Sequence, residues 1–302
     1  MSWKLATKLK ERLEKEQGYY LFPAGQRERM ALVYPNSYFV GMSNLGLHII
    51  YDLMNRRQDT ACERFFLPER KEIEEYKRTN TPLLSLETQT PLSEFPLIAC
   101  AVSFEMDYFD LLEILDMGRV PVLASERGDD APLVIAGGPC STFNPEPLSK
   151  FVDAFIIGEG EEIMQNFMDA FYAAKEEGLG KAELLRALSK VAGVYVPSLY
   201  EHTFAEDGTL ADITPTEGAP ETVSRPWVAD LDAYPAHTVV VTDDTEFNLY
   251  LVETARGCGR HCRFCMAGYC FRKPRNRSLE VLNQEFRDAE KIDVVIFRKA
   301  LF

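Results

Sequence analysis

Long apolar runs are absent from this chain: no segment approaches the roughly 18 consecutive apolar residues of a membrane span. The N-terminus, Met1-Ser-Trp-Lys-Leu-Ala-Thr-Lys-Leu-Lys10, alternates lysine with apolar residues and then becomes strongly charged. It lacks the uninterrupted apolar core and small-residue cleavage site of a secretory signal. Positive charge is in deficit, 33 Lys and Arg against 47 Asp and Glu, for a net charge of −14. That balance argues against general binding of nucleic acid or anionic membranes by the whole surface. Neither the dinucleotide fingerprint Gly-x-Gly-x-x-Gly nor a Walker phosphate loop is present. Histidine is scarce: there are four, of which only His48 falls in the first domain, and a lone helical histidine is more often structural than a ligand.

Cysteine is unevenly spread. Of seven, an odd number, four crowd into the stretch from Cys258 to Cys270. A secreted disulfide framework would distribute them in pairs, so reduced thiols and a cytoplasmic location are expected. The length of 302 residues suits two domains, and a composition 46% hydrophobic and 26% charged is ordinary for a globular protein.

Residues 2–16 carry Trp3, Leu5, Leu9 and Leu13 at helical spacing, which predicts an amphipathic helix. From residue 30, strands and helices alternate. Strands are predicted at 30–34, 61–67, 97–104, 133–136 and 154–157, and helices at 44–56, 69–78, 108–117 and 162–175. Ser43 or Asn44 is the expected cap of the first of these helices and Asp107 of the third. This alternation indicates an α/β fold with a doubly wound parallel sheet. Ligands bind such sheets outside the carboxyl ends of the strands. There lie Gly137-Gly138-Pro139 and Gly158-Glu159-Gly160-Glu161, whose glycines let a ligand approach the backbone or simply make tight turns. Beyond the sheet, 181–189 reads as a helix, 194–200, 223–227 and 239–242 as strands, and 206–221 as loop.

The most informative stretch is Glu253-Thr-Ala-Arg-Gly-Cys258-Gly-Arg-His-Cys262-Arg-Phe-Cys265, after an apolar strand-like run at 249–252. Three thiols within eight residues are soft ligands that a tight loop can aim at one point. One reading is a four-iron cluster with one iron left open. Another is zinc held by Cys258, Cys262, Cys265 and Cys270, although zinc ligands usually come as two separated pairs.

The Cys-x-x-x-Cys-x-x-Cys spacing after a strand, with Phe264 before the last cysteine, resembles the signature of the radical S-adenosylmethionine (radical SAM) superfamily. The string from Glu253 through Phe264-Cys265-Met-Ala-Gly268 resembles the branch with a cobalamin-binding-like domain ahead of the radical core. Ala136-Gly-Gly-Pro139, Asn144-Pro-Glu-Pro147 and Gly158-Glu-Gly-Glu161 are similar to that domain. The resemblance implies a Rossmann-like, cobalamin-binding-like domain followed by the first part of a radical SAM (β/α) barrel. Cys258, Cys262 and Cys265 would each ligate one iron of a 4Fe-4S cluster, and the fourth iron would chelate S-adenosylmethionine. An electron donor such as a flavodoxin or ferredoxin would reduce the cluster, and cleavage of the sulfonium would release a 5′-deoxyadenosyl radical. Phe264 would sit beside the adenine or pack the loop. Gly137, Gly138, Gly158 and Gly160 would border a cofactor, with cobalamin the candidate. Glu253 and Arg256 would hold the loop by charge-assisted bonds rather than act in catalysis, and no catalytic residue is assigned.

Two departures accompany the resemblance. The cobalamin ligand motif Asp-x-His-x-x-Gly is missing. Only 37 residues follow Cys265, enough for a helix at about 279–291 and a strand at 294–297. The expectation is a fragment, a frameshifted reading or a piece needing a partner, inactive alone in radical chemistry. The expected organisation is a helix over 1–29, the α/β domain over 30–180, connecting hairpins and loops over 181–242 and the radical SAM segment over 243–302. A basic cluster, Arg256, Arg260, Arg263, Arg272, Lys273, Arg275 and Arg277, either contacts phosphates, RNA included, or holds the loop and pairs with acidic neighbours. The second reading is preferred, because no aromatic-interleaved RNA module accompanies it.

Overall fold

The computed structural model describes residues 2–235, 237–245, 250–271, 273–290 and 296–301, the last of these by backbone alone. Helix α1 (Trp3–Leu13) leads into β1 (Glu28–Tyr34), the short α2 (Tyr38–Gly41) and α3 (Leu45–Arg56). Next come β2 (Thr60–Phe66), α4 (Arg70–Thr79), β3 (Leu97–Ala101), α5 (Asp107–Met117), β4 (Leu133–Gly137), α6 (Pro139–Phe143), β5 (Ala154–Ile156), α7 (Gly160–Glu176), α8 (Lys181–Leu188) and β6 (Val194–Tyr195). The six strands form one sheet in the order β2-β1-β3-β4-β5-β6, parallel throughout except for β6 against β5. The order reverses between β1 and β3, the kind of place where open α/β sheets bind ligands.

Alternating strand residues fill two cores. Met30, Leu32, Ile135 and Ile156 face α3 and α7, with Leu47, Tyr51 and Phe167 packed over them. Ala31, Val33, Ile98, Val134 and Phe155 face the other way, under Leu111, Ile114 and Leu115 of α5. Burial on both faces explains why these strands read as continuous apolar runs. Each fully buried large side chain contributes about 1.5–3 kcal/mol.

Several predicted details change. Trp3 is 81% exposed, while Leu5 and Leu13 of α1 are buried, so the packed face of the helix excludes the tryptophan. Asn44 caps α3, its Oδ1 accepting from the Leu47 N–H at 3.2 Å. Asp107 does not cap α5 but is its first residue. Its carboxylate accepts from the Phe104 N–H at 3.0 Å and from Asn36 at 3.1 Å, tying the loop after β3 to the loop after β1. The predicted strand at 194–200 breaks at Pro197 into β6, a single 3₁₀ turn and β7 (Tyr200–Phe204). The predicted loop at 206–221 contains β8 (Leu210–Pro215), which pairs antiparallel with β7 in an exposed hairpin. Residues 223–227 form no strand, and 239–242 contribute only an isolated bridge at Val241.

That bridge joins the N-terminal segment to the last third of the chain. Gln17 and Val241 exchange both backbone hydrogen bonds, at 3.0 and 2.9 Å. Beside them Gly18 has φ +88°, and a Cβ there would lie 2.3 Å from the Val239 carbonyl oxygen. The adjacent Glu16 enters a buried ionic cluster. Arg64 of β2 donates to Glu16 at 2.6 Å and to Glu87 at 2.7 Å, and all three side chains are at most 1% exposed. Tyr38 donates a further bond to Glu16 at 2.6 Å, and the Arg64 guanidinium lies over the Tyr51 ring.

The remaining elements are β9 (Tyr250–Arg256), α9 (Ala267–Cys270), β10 (Arg275–Asn276), α10 (Leu279–Glu290) and β11 (Ile296–Leu301). β9 is central in a three-stranded sheet, antiparallel to β10 and parallel to β11. Residue 249 of the predicted strand 249–252 lies outside the described residues, as do 291–295, which include the last residue of the predicted helix 279–291 and the start of the predicted strand 294–297. No helix among the described residues is long and apolar enough to cross a membrane.

Candidate functional site

β9 delivers the thiol loop. Its last residue, Arg256, is followed by Gly257 and Cys258, whose N–H donates to the Phe271 carbonyl at 2.6 Å. The Cys265 N–H donates to the Cys262 carbonyl at 3.1 Å, which closes a turn holding the second and third thiols. None of the three is in a disulfide; Cys262 is exposed, and Cys258 and Cys265 are half-buried. The Arg260 N–H points at the Cys258 sulfur at 3.4 Å. The donor set therefore suits a soft metal or cluster in chemistry. In geometry the thiols share a loop without converging: among the described residues no three His, Cys, Asp or Glu side chains gather as a metal site would require. Cys270, the fourth thiol, ends α9 and is half-buried. The other cysteines are buried, Cys62 and Cys100 in the sheet and Cys140 in α6, and burial pushes the Cys100 thiol up to about 12. Phe264 is 93% exposed, so its expected role in packing the loop is not seen.

The loop is anchored as expected, and more extensively. Arg256 Nε donates to Glu253 Oε1 at 2.7 Å. The same guanidinium reaches back to the sheet domain, to Glu159 at 3.1 Å and Glu161 at 2.5 Å. Arg275 also pairs with Glu159, and Arg277 donates to Glu253 at 2.7 Å. Three members of the basic cluster are thus paired with acids, as preferred from the sequence. Arg272 lies outside the described residues. Glu159 keeps a carboxyl below its ordinary range: burial acts to raise it, but Arg275 and Arg256 outweigh that. Glu159 and Glu161 carry no local mark as partners, since ion pairs about a hundred residues apart leave no pattern in the nearby residues.

Gly137, Gly138, Gly158 and Gly160 come together. All four line a cavity of about 440 Å³ at the carboxyl ends of the strands, beneath α3 and α7. Its walls are mostly apolar, with Leu32 of β1, Ala99 of β3 and Ile135 of β4 among them, and Arg256 and Phe271 complete it from the thiol segment. A second cavity of about 360 Å³ shares Thr142, Gly158, Glu159 and Phe271 with the first and includes Arg225, Trp227 and Lys273. Neither cavity is lined by histidine. His48 is fully committed elsewhere: one ring nitrogen bonds the Met42 carbonyl at 3.0 Å, the other accepts from the Val240 N–H at 3.4 Å, and burial pushes its pKa down to about 4. It is structural.

The family described as radical SAM proteins, N-terminal, matches residues 46–197, half of the chain. The chain belongs to the radical SAM N-terminal family. The match takes in β2 to β6 and Gly137, Gly138, Gly158 and Gly160 of this radical SAM N-terminal protein, and it ends well before the thiol loop. An uncharacterized protein of Methanocaldococcus jannaschii is 24% identical over 271 residues, covering 89% of this chain and 47% of that protein. The chain thus spans about half the length of the curated relative it matches. No solved structure matches.

Proposed function

We propose that this radical SAM N-terminal protein holds a 4Fe-4S cluster on Cys258, Cys262 and Cys265 and binds S-adenosylmethionine at the open iron. The observation that carries this reading is the spacing of three disulfide-free thiols on one loop directly after β9, in a chain of this family. Such a cluster, when bound with S-adenosylmethionine and reduced by a flavodoxin- or ferredoxin-like donor, supplies a 5′-deoxyadenosyl radical. The chain's own part is to hold and orient. The Arg260 N–H offsets charge on the Cys258 sulfur, and the Glu253–Arg256 pair fixes the end of β9 from which the loop departs. Phe264, exposed between two of the thiols, is available to stack on an adenine. The glycine-lined cavity is the cofactor pocket of the sheet domain. A cobalamin held there would find no histidine in the cavity wall, His48 being turned away and committed.

Anaerobic reconstitution with iron and sulfide tests the reading. A brown protein with about four irons per chain is expected, with absorption that changes on adding S-adenosylmethionine. Cys262→Ala should lose the iron and Cys270→Ala should keep it. A colourless protein with stoichiometric zinc that is lost in Cys270→Ala would overturn the reading in favour of a four-thiolate zinc site.

A further inference from the structure

The second cavity carries charge that the loop-anchoring network does not use. Arg225, from the connecting segment, and Lys273, from the thiol segment, both line it, and neither pairs with a carboxylate among the described residues. Both are exposed, and Lys273 rests its ammonium 4.2 Å over the Trp227 ring. The single carboxylate in the wall, Glu159, is taken up by Arg256 and Arg275. Two unpaired cations facing one chamber are unexpected in a chain of net charge −14, and they suit an anion.

The first cavity is the opposite in character. It lies at the reversal of strand order, is walled mostly by aliphatic side chains with Glu159, Glu161 and Arg256 also in the wall, and presents bare backbone at five glycines to which a flat ring can come close. Its volume of about 440 Å³ is that of an ordinary small-molecule site. Gly158 stands between the chambers, with φ +125°, and a Cβ there would meet the Pro226 carbonyl oxygen at 2.4 Å. Only glycine lets the backbone of the connecting segment pass this close, and the residue before Pro226 is Arg225. The same contact that shapes the neck therefore sets the cation beside it.

We propose that the two cavities form one ligand site, in which Arg225 and Lys273 hold the phosphate of a ligand whose flat apolar body fills the glycine-lined chamber. A phosphate fits better than a carboxylate, because two cations from separate segments line one chamber and an arginine fork matches phosphate oxygens. The chemistry is shared by a free mononucleotide such as a flavin mononucleotide and by the phosphate-bearing nucleotide tail of cobalamin. The proposal is independent of the iron cluster and is tested on the metal-free chain.

Flavin mononucleotide, riboflavin and hydroxocobalamin are titrated against the wild type, the double variant Arg225→Ala/Lys273→Ala and the remote control Lys77→Ala. Thermal denaturation checks that all three proteins are folded. At least one phosphate-bearing probe should bind and lose about tenfold or more in affinity in the double variant alone, the size expected of charge-assisted contacts. Flavin mononucleotide binding about tenfold or more above riboflavin identifies a free mononucleotide. Hydroxocobalamin binding with the same loss, without flavin binding, identifies the nucleotide tail. The proposal is overturned if neither phosphate-bearing probe binds, or if binding is unchanged in the double variant. Either failure leaves the thiol-loop reading untouched.

Discussion

The ionic cluster at Arg64 and the ionic network at Arg256 use the same side chains to different ends. Arg64, Glu16 and Glu87 are sealed from water, and they join the end of the N-terminal helical segment, the edge strand β2 and the loop before β3. Arg256, Arg275 and Glu159 are 8–11% exposed at the side chain, and they join the thiol segment to the glycine-rich loop after β5. The first cluster touches neither of the two large cavities, whereas Glu159 and Phe271 border both of them. A sealed cluster adds rigidity at high desolvation cost. A partly wet one next to a cavity can be rearranged.

The comparison is most easily broken at Arg64. Arg64→Ala leaves two buried carboxylates without a cation and should cost about 3–5 kcal/mol in chemical denaturation; a loss under about 1 kcal/mol would mean that the site is wet. Arg256→Ala should cost less, about 1–3 kcal/mol. It should show first as protease cleavage between β9 and β10 while the sheet domain stays folded. Cleavage that begins instead in the sheet would show that the two segments are not separately stable.

A finer contrast lies in pH. Glu159 is held below its ordinary value of 4.5, so the stability it provides is present above that value and is lost as pH falls through it towards the folded one. Glu87 is displaced the other way, because burial raises it more than Arg64 lowers it. Its folded form keeps the proton longer, so its contribution declines as pH rises from 4.5 through the raised value. Denaturation across acid pH should therefore find Glu159→Gln flattening the loss on acidification and Glu87→Gln removing a decline on the alkaline side of 4.5. Slopes of the same sign in both variants would show that the two sites are not electrostatically distinct. The smallest effect is expected at an exposed pair: Lys77, 3.7 Å from Glu113, should change stability by no more than about 0.5 kcal/mol on replacement by alanine.

The elements legible in the sequence are those whose burial is two-sided. Residues 30–34 of β1 and the whole of β3 to β5 are apolar because both faces are covered, and the glycines that follow β4 and β5 lie at the strand ends, where the cavity opens. The hairpin β7–β8 left no such trace, since it is exposed and Leu210 and Ile213 point to water. The segments 223–227 and 239–242, short strand candidates in the sequence, form no strand. They are held instead by scattered bonds, Pro226 and Val228 to Glu159, Val240 to His48 and Val241 to Gln17. The thiols were legible from spacing alone. The carboxylates that anchor their loop were not, because Glu159 and Glu161 sit in a turn whose glycines account for its local pattern, and their partners lie far along the chain. Arg225 and Trp227 were passed over for the same reason.

The strap at Gln17 has a practical consequence for anyone dissecting the gene. Translation lays down residues 16–18 early, and the chain returns more than two hundred residues later to bond to Gln17 through Val241 and to press Val239 against Gly18. A shortened gene that starts at Met30 would keep every strand of the large sheet except the first two residues of β1. It would nevertheless strip Arg64 of one carboxylate and leave the approach to β9 without its backbone partner. The first twenty residues are a foundation for the thiol segment, although they lie at the opposite end of the coding sequence.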